Sequence, residues 1–568
     1  MYYLSVILIC MWAVASCYMD SIDEKEIKEE WWQVNIAQGP VRGQRDPSGE
    51  FYAFYNIPYA TVPTGKDKFK APLPPPTWEE PYDAIDKQII CPQFLVKEIF
   101  PEDLNMQEDC LIANVYVPQT NAKNLTVLVY VHGGGFQVGY GEMGQFKNLI
   151  KTKDLIVVSF NYRVGIHGFL CLGTEDAPGN GGMKDQVALL RWVQQNIAAF
   201  GGNPNDVTIS GASAGSASVD LLMISKMAEG LFNKVIPESG ANLGVFTIQS
   251  DPIQIAKDHA RTLNFANVDD IGALEEFYKS LSFELLTADG FLDKTDSTFL
   301  FVPCVERSMG NEAFLTETPY NILKTGQYEK VPMLYGLANM EGLMRTMMFD
   351  LWKNKMNEKF SDFLPADLQF ENEDEKEKVA KLIKEFYFED KPVGNDNILG
   401  YVDFFSDVLF AYSTLKAVSL HVKGGHDQIY LYEYSFVDDD TPVVPYTNIR
   451  GANHCAQSMA VTDGKTLIDR EEDGISEDYR NMKKYIRGIW HNFIKTGKPV
   501  SEQSSLPSWP PVGENLSPHM SLGQKIELKG SLLEERFNFW DKIYDKYYRQ
   551  PIPPVSYVSK LVLYTVCV

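Results

Sequence analysis

The chain has 568 residues, of which 45% are hydrophobic and 12% aromatic, the composition of a folded globular protein with a sizeable core. It carries 52 basic and 76 acidic side chains, and its formal net charge is −24. So acidic a chain is repelled by nucleic-acid phosphates and by anionic lipid surfaces, which argues against both as its main partners.

The first residues are typical of a secretory signal peptide. Residues 4–15 form an apolar run that is too short to cross a bilayer as a helix, and Ala13-Val14-Ala15 supplies a cleavage pattern. No basic residue precedes the run. We therefore predict a signal peptide at residues 1–15, a secreted, extracellular chain from 16 to 568, and no membrane span in that chain.

Secretion permits disulfides and glycans. Asn124 and Asn515 each begin an Asn-x-Ser/Thr sequence and are predicted glycosylation sites, the second weakened by Pro518. No group of cysteines has the spacing of metal ligands, so no metal site is predicted. The eight cysteines are Cys10, Cys17, Cys91, Cys110, Cys171, Cys304, Cys455 and Cys567.

Strand-like and helical patterns alternate along the chain. Apolar or β-branched runs predict strands at 125–131, 155–160, 207–210, 331–337 and 429–436. Helical patterns occupy 187–200, 216–223 and 479–495, and the charged segment 366–391 predicts a solvated helical face. Continuous apolar strands separated by helices predict an α/β fold, in which helices cover both faces of a mostly parallel sheet. No long linker interrupts the pattern, so we expect one large domain with insertions.

The sequence GASAG at 211–215 lies between a predicted strand and helix-compatible residues. That context is what a nucleophile elbow requires, because its glycines permit a tight turn that lifts the hydroxyl of Ser213 clear of the sheet. A serine hydroxyl becomes a good nucleophile only when a base accepts its proton and an acid orients the base.

The candidate base and acid follow Ser213 in the order acid, then histidine. His454 lies on the loop after the strand at 429–436 and is the preferred base. Glu341 lies four residues beyond the strand at 331–337 and is the preferred acid, with Asp403 or Asp407 as second choice. The other histidines downstream are His421, His426, His491 and His519.

The sequence HGGGF at 132–136 directly follows the strand at 125–131. Three successive glycines can direct backbone N–H groups at one point, which is how a developing oxyanion is stabilised. Residues 139–144 also fit G-x-G-x-x-G, but they do not directly follow a strand, so no dinucleotide cofactor is predicted.

Taken together, these segments resemble the type-B carboxylesterases, the carboxylesterase/cholinesterase family of α/β-hydrolases. The resemblance extends from about Gln38 to Tyr544, and residues 168–180 are most similar to insect carboxylesterases, including antennal, odorant-degrading ones. The motifs that carry it are GPVRG at 39–43, IPYA at 57–60, EDCL at 108–111, NYRVG at 161–165, APGN at 177–180, DQ at 185–186, FGGNP at 200–204, residues 490–499 and FWD at 539–541.

The resemblance implies roles for particular residues. Ser213 would be the nucleophile, Glu341 the acid and His454 the base, with no metal or organic cofactor. The oxyanion donors would be the N–H groups at Gly134, Gly135 and Ala214.

The resemblance also implies structural pairs. It joins Cys91 to Cys110 in a disulfide and Arg163 to Asp185 in a buried ion pair. A second ion pair would join Glu108 to Lys68, where the family usually has arginine, and lysine cannot form the bidentate contact.

Four departures from the family pattern concern the surroundings of the predicted site. Ala212 precedes the serine where the family usually has glutamate, Glu238 replaces a usual glutamine, and Gln457 replaces an acid shortly after the histidine. The family's second intrachain disulfide is not predicted here, which leaves Cys171, Cys304 and Cys455 without partners. Loss of the charge at Ala212 is expected to slow turnover, deacylation especially.

The expected activity is hydrolysis of carboxylic esters through an acyl-enzyme. The loop from Cys91 to Cys110 contains no tryptophan, which argues against choline esters and favours uncharged esters such as volatile acetates, lipid-derived signals or xenobiotics. The alternative is a non-catalytic binding or adhesion protein on the same scaffold; sequestration of organophosphates would use the same serine. A monomer or weak homodimer is expected.

Overall fold

The computed structural model describes residues 30–95, 100–101, 103–287, 293–309, 313–463 and 474–555. The predicted signal peptide, Cys10, Cys17 and Cys567 lie outside these described residues.

A large mixed sheet organises the described residues. Thirteen strands form this sheet, and β5 and β6 form a separate two-stranded ribbon. The strands are β1 Trp31–Ile36, β2 Gly39–Arg45, β3 Phe51–Pro58, β4 Tyr82–Asp83, β5 Ile89–Ile90, β6 Asn105–Met106, β7 Ile112–Pro118, β8 Leu125–Val131, β9 Leu155–Phe160, β10 Gly202–Ala212, β11 Lys234–Glu238, β12 Met333–Ala338, β13 Ile429–Tyr434, β14 His519–Leu522 and β15 Ile526–Lys529.

The sheet is parallel in its centre, and both ends of its main strand order are antiparallel, while the short strand β4 pairs with β2 in parallel. Its spatial order is β1-β2-β3-β7-β9-β8-β10-β11-β12-β13-β14-β15, with β4 beside β2. Every pair from β9–β8 through β13–β14 is parallel. Because the carboxyl ends of parallel strands meet at one edge, the loops after β8, β10, β12 and β13 gather at the same edge.

Helices cover the sheet. They are α1 Lys147–Ile150, α2 Gly165–Phe169, α3 Gly181–Asn196, α4 Ala214–Ile224, α5 Pro252–Thr262, α6 Ile271–Ser280, α7 Pro319–Thr325, α8 Phe349–Glu358, α9 Glu373–Phe388, α10 Ile398–Ser406, α11 Tyr412–Lys423, α12 Ala456–Val461, α13 Glu477–Thr496 and α14 Glu534–Tyr547. A π-helical turn, Asp407–Ala411, joins α10 to α11.

Alternating residues of β8 enter two hydrophobic clusters, one on each face of the sheet. Val127, Val129 and Val131 belong to the larger cluster, and Leu128 and Tyr130 to the smaller one. Both faces of the central strand are therefore buried, which explains its uninterrupted apolar sequence.

Helix α13 covers the smaller cluster. Its buried residues recur every three or four positions and include Met482, Ile486, Ile489 and Phe493. The helix begins where the Ser476 side chain accepts a hydrogen bond from the backbone N–H of Tyr479, a normal N-cap.

The predicted elements are confirmed, with small changes in their ends. Strands 125–131 and 155–160 have the predicted bounds, and the helix predicted at 479–495 is α13. The charged segment 366–391 contains α9, whose first turn holds three acids that favour a helix N-terminus.

One buried helical stretch of the described residues has the composition of a membrane span. The helical stretch Asn395–Lys423 is long and apolar enough to span a bilayer by length and composition, although 83% of its apolar stretch is buried inside the protein. A core helix that packs on all sides has the same composition as a span.

The disulfide framework contains the implied bond and one further bond. Cys91 is bonded to Cys110, but Cys171 and Cys304, expected to be unpaired, are bonded to each other. The Asn180 side chain holds the two segments together: it donates to the Cys304 carbonyl at 2.8 Å and accepts from the Cys304 N–H at 2.9 Å. Among the described cysteines, Cys455 is free.

Of the two implied ion pairs, one is present. Arg163 binds Asp185 through Nε and Nη2 at 2.8 and 2.7 Å, and both side chains are buried. Lys68 instead donates to the Leu281 carbonyl at 2.7 Å, because its ammonium group is directed into the protein while Glu108 is exposed.

Candidate active site

Ser213 occupies a strained turn between β10 and α4. Its φ and ψ angles are 58° and −122°, a region that non-glycine residues rarely adopt. Its backbone N–H donates to the Glu238 carbonyl at 2.9 Å, which ties the turn to the end of β11. The serine side chain is therefore held at the carboxyl edge of the sheet, and it is half-buried.

Both glycines of the GASAG sequence are required by close packing. A Cβ atom on Gly211 would lie 2.3 Å from the Gly215 carbonyl oxygen, and one on Gly215 would lie 2.1 Å from the carbonyl oxygen of Val131. Neither position can accept a larger residue without movement of the backbone.

The glycine loop after β8 packs directly against Ser213. A Cβ atom on Gly133 would lie 3.2 Å from the Cβ of Ser213, and Gly134 and Gly135 have φ angles of 109° and 64°. The N–H groups of Gly134, Gly135 and Ala214 make no hydrogen bond with any residue that the structure describes. Three backbone donors beside the serine are suited to an oxyanion.

The glycine loop is held from behind. The His132 ring stacks on Tyr162 with centroids 4.2 Å apart, and the Tyr162 hydroxyl donates to the His132 carbonyl at 3.0 Å. Burial lowers the pKa of His132 to about 4, although the Gly133 carbonyl opposes this effect. His132 is therefore a neutral packing residue at pH 7 and not a second base.

Glu341 lies just beyond β12 and is fully buried. Its Oε1 accepts from the Ala338 N–H at 2.7 Å and from the Ser239 hydroxyl at 2.5 Å, and its Oε2 lies 2.6 Å from His454 Nδ1. Gly342, the next residue, donates from its N–H to the Ser406 hydroxyl at 2.8 Å. The acid is thus fixed between the sheet and α10.

His454 lies between Glu341 and an aromatic ring. Phe410 stacks on the imidazole with centroids 4.1 Å apart and an angle of 23° between the rings. Because Nδ1 faces Glu341, the neutral ring carries its proton there and Nε2 is the basic atom. Nε2 has no hydrogen-bond partner among the described residues, Ser213 included; catalytic hydrogen bonds are often long without substrate.

The pKa of His454 is raised above its ordinary value. Burial acts to lower the pKa, but the adjacent Cys455 and the Glu341 carboxylate both raise it. The protonated ring that forms when a base accepts a proton is therefore stabilised here.

The other candidate residues lie elsewhere. Asp403 and Asp407 both bind Arg536, at 2.9 and 2.7 Å, and neither contacts His454. His491 binds Asp154, and His421 binds Tyr328. Within the described residues, no group of three His, Cys, Asp or Glu side chains is arranged to hold a metal ion.

Two contacts of the site were not foreseen. Ser239 is not among the residues that the sequence singles out, yet its hydroxyl donates to Glu341. Phe410 carries no sequence signal, because it reaches His454 from the π-helical turn that interrupts a regular apolar helix. π-Turns of this kind often occur at functional sites.

A serine on a strand–helix elbow, an acid–histidine pair and a glycine loop, all at the carboxyl edge of a mostly parallel sheet, define a serine hydrolase of the α/β-hydrolase fold. The model of the Carboxylesterase family matches residues 31–540. The chain therefore belongs to the carboxylesterase family, and it is a carboxylic ester hydrolase.

Its relatives include several insect esterases. Esterase FE4 of Myzus persicae is 34% identical over 82% of this chain and 84% of its own length. The juvenile hormone esterase of Heliothis virescens is 31% identical over 84% of this chain and 87% of its own. The crystal structure of juvenile hormone esterase from Manduca sexta, with OTFP covalently attached, is 27% identical, with a TM-score of 0.80 over 91% of this chain and all of that one.

Proposed function

We propose that the protein is a secreted serine carboxylesterase that hydrolyses uncharged esters through an acyl-enzyme. The Ser213 hydroxyl attacks the ester carbonyl while His454 Nε2 accepts its proton. The resulting oxyanion accepts hydrogen bonds from Gly134, Gly135 and Ala214. His454 then donates the proton to the leaving alcohol, and a water molecule releases the acid by the same steps.

The contact between Glu341 and His454, 2.6 Å long, is the observation that carries this proposal. It holds the imidazole in the tautomer whose Nε2 can accept a proton, and it stabilises the imidazolium that follows.

A row of aromatic rings supports uncharged, apolar esters as substrates. Phe410, which stacks on His454, lies 5.5 Å from Phe246, and Phe246 lies 5.1 Å from Phe299. The predicted substrates are volatile acetates, lipid-derived signals or xenobiotics, and the loop from Cys91 to Cys110 offers no tryptophan to a choline cation.

The two disulfides support secretion, because such bonds persist in oxidising compartments. Asn124 and Asn515 are both exposed, as glycosylation would require. We also propose that the mature chain acts as a monomer or weak homodimer, without a cofactor.

The test is a kinetic comparison of three esters: the acetate of an uncharged medium-chain alcohol, acetylcholine, and a long-chain acyl ester of the same uncharged alcohol. The acetate and acetylcholine share an acyl group and differ in the charge of the alcohol. We expect the highest kcat/KM on an uncharged ester and none in Ser213→Ala.

Two outcomes would count against the proposal. Undiminished turnover by Ser213→Ala would exclude the mechanism. A folded wild-type protein that hydrolyses none of the three esters would favour a non-catalytic binding protein on this scaffold.

A further inference from the structure

Behind the catalytic acid lies a chain of short, buried hydrogen bonds. The side-chain amide of Gln457, on α12, donates to the Ser239 hydroxyl at 2.6 Å. Ser239 donates in turn to Glu341 Oε1 at 2.5 Å, and Glu341 Oε2 meets His454. Any group that fixes Gln457 therefore acts on the orientation of Glu341.

Glu238, at the end of β11, is the group at the far end of this chain. It is fully buried, and the Tyr432 hydroxyl lies 2.7 and 2.6 Å from its two carboxyl oxygens. The amide of Gln457 lies near enough to this carboxyl to lower its pKa. The five side chains from Glu238 to His454 thus form one connected network.

The sheet is shaped to hold the Glu238 carboxyl. Gly336 lies opposite Glu238 on β12, and a Cβ atom there would come within 2.4 Å of Glu238 Oε2. On the other side, Ala212 of β10 lies opposite Glu238, so a small residue flanks the carboxyl in each direction. A larger residue at position 336 would displace the Glu238 carboxyl.

The surroundings favour the uncharged form of Glu238. None of the described Lys or Arg residues forms an ion pair with it, and a buried carboxylate without a cation is costly. Burial raises the pKa of Glu238 well above its ordinary value and the charge of Glu341 adds to this, while Tyr432 and Gln457 oppose it only in part. The buried Oε1 of Gln457 lacks a hydrogen-bond partner among the described residues, and a protonated Glu238 could supply one.

We propose that Glu238, as an uncharged carboxylic acid, is a positioning residue that holds Gln457 and, through Ser239, fixes Glu341 against His454. The inference rests on the proposed triad. With Glu238 uncharged, Glu341 is the one carboxylate of this network that faces the His454 imidazolium. A charged Glu238 would compete with Glu341 for the hydrogen-bond donors of the network.

The experiment compares Glu238→Gln, Glu238→Ala and Gln457→Leu with the wild type, using the uncharged acetate ester and measuring kcat, KM, the pH profile of kcat and the unfolding temperature. Glutamine at 238 is neutral and similar in shape, so we expect kcat within about twofold of the wild type and an unchanged pH profile. The other two variants lose a hydrogen bond of the network, and their kcat should fall about tenfold at unchanged KM.

Gln38→Leu is the matched structural control. Gln38 is buried in the turn between β1 and β2 at the sheet edge, where its side chain accepts a hydrogen bond from Trp192. This variant should unfold at a lower temperature and keep the wild-type kcat and pH profile.

Three other outcomes would overturn the proposed role of Glu238, each for a different reason. If Glu238→Gln loses as much kcat as Glu238→Ala and its ascending pH limb moves to lower pH, Glu238 acts through its charge. If Glu238→Ala and Gln457→Leu behave like Gln38→Leu, Glu238 only stabilises the fold. If the wild type does not turn over the ester, both the proposed function and the proposed role of Glu238 are wrong. The first two outcomes would refute only the role of Glu238 and are compatible with the proposed triad.

Discussion

The protonation of His454 is governed by the side chains that surround it. Glu341 lies against Nδ1, Cys455 follows in the chain, and Phe410 covers one face of the ring. Cys455 has a φ angle of 62°, so the backbone turns sharply directly after His454, and Cys455 raises the pKa of the imidazole. Cys455 is therefore an electrostatic neighbour of the His454 imidazole.

The first prediction concerns Cys455→Ala. In the proposed mechanism His454 must be neutral to accept a proton, so a raised pKa of His454 delays the appearance of activity as the pH rises. Because Cys455 is one of the two groups that raise the pKa of His454, its removal should lower that pKa. The ascending limb of kcat/KM should move to lower pH; an unmoved limb, or one moved to higher pH, would contradict this account.

The second prediction concerns Ala212→Glu. Ala212 lies opposite Glu238 across two parallel strands, so a glutamate at 212 would place two buried acids side by side. The single variant should unfold at a lower temperature than the wild type. In the double variant with Glu238→Gln, stability should return and deacylation should accelerate, because the new carboxylate stabilises the His454 imidazolium.

Decay of the acyl-enzyme after rapid mixing measures that rate. The hypothesis that Ala212 slows deacylation fails if the double variant is stable but releases the acid no faster than the wild type.

At the scale of the elements, the turn around Ser213 depends on contacts between β8, β10 and α4. Gly215 lies in the first turn of α4, where the helix packs against the end of β8. The carbonyl oxygen of Val131 leaves no room for a side chain at position 215. The close approach places the helix N-terminus, with its free N–H groups, beside the serine.

The third prediction pairs two Gly→Ala substitutions in helices. Gly215→Ala puts a methyl group 2.1 Å from a carbonyl oxygen and should abolish activity and lower solubility. Gly488 is exposed in α13 with nothing within 4 Å of its added Cβ, so Gly488→Ala should stabilise the protein by roughly 0.5–1 kcal/mol. Thermal unfolding and activity of both variants check this; equal behaviour of the two would contradict the packing argument.

Sequence periodicity predicted the central elements because these residues carry strong signals. Strand 125–131 is apolar at every position except Thr126, and the chain order of Ser213, Glu341 and His454 indicated which residues would meet. The π-helical turn was not predictable in this way. One extra residue in an apolar helix leaves the composition unchanged, yet it turns Phe410 toward His454.

At the scale of the whole molecule, two disulfides close loops of very different size. Cys91–Cys110 spans 19 residues, whereas Cys171–Cys304 spans 133 and joins the segment after α2 to the segment before α7. The single large sheet and the family match from 31 to 540 support our proposal that the mature chain is one domain.

The fourth prediction compares the two disulfides. In the chain-entropy model, the longer loop constrains the unfolded chain more, about 5 against about 3 kcal/mol. Cys171→Ala/Cys304→Ala should therefore lower the unfolding temperature more than Cys91→Ala/Cys110→Ala, and both should unfold in a single transition. A larger effect of the shorter disulfide would contradict the model, and two separate transitions would contradict the single domain.

Long-range pairings are where sequence reasoning was weakest. The Cys171–Cys304 bond joins segments whose proximity follows only from the folded chain and the side chain of Asn180. Likewise, the family resemblance implied a pair between Lys68 and Glu108, but the buried lysine donates to the Leu281 carbonyl instead. Such contacts depend on how insertions pack, which local periodicity does not encode.

The central claim is that hydrolysis proceeds through an acyl group on Ser213. The most direct measurement is peptide mass spectrometry of the enzyme quenched with acid during turnover of the uncharged acetate ester. We predict one acetyl group on the peptide that contains Ser213, and none, together with no turnover, in Ser213→Ala. An acetyl group on another residue that turns over at the catalytic rate, or full activity in Ser213→Ala, would contradict the claim.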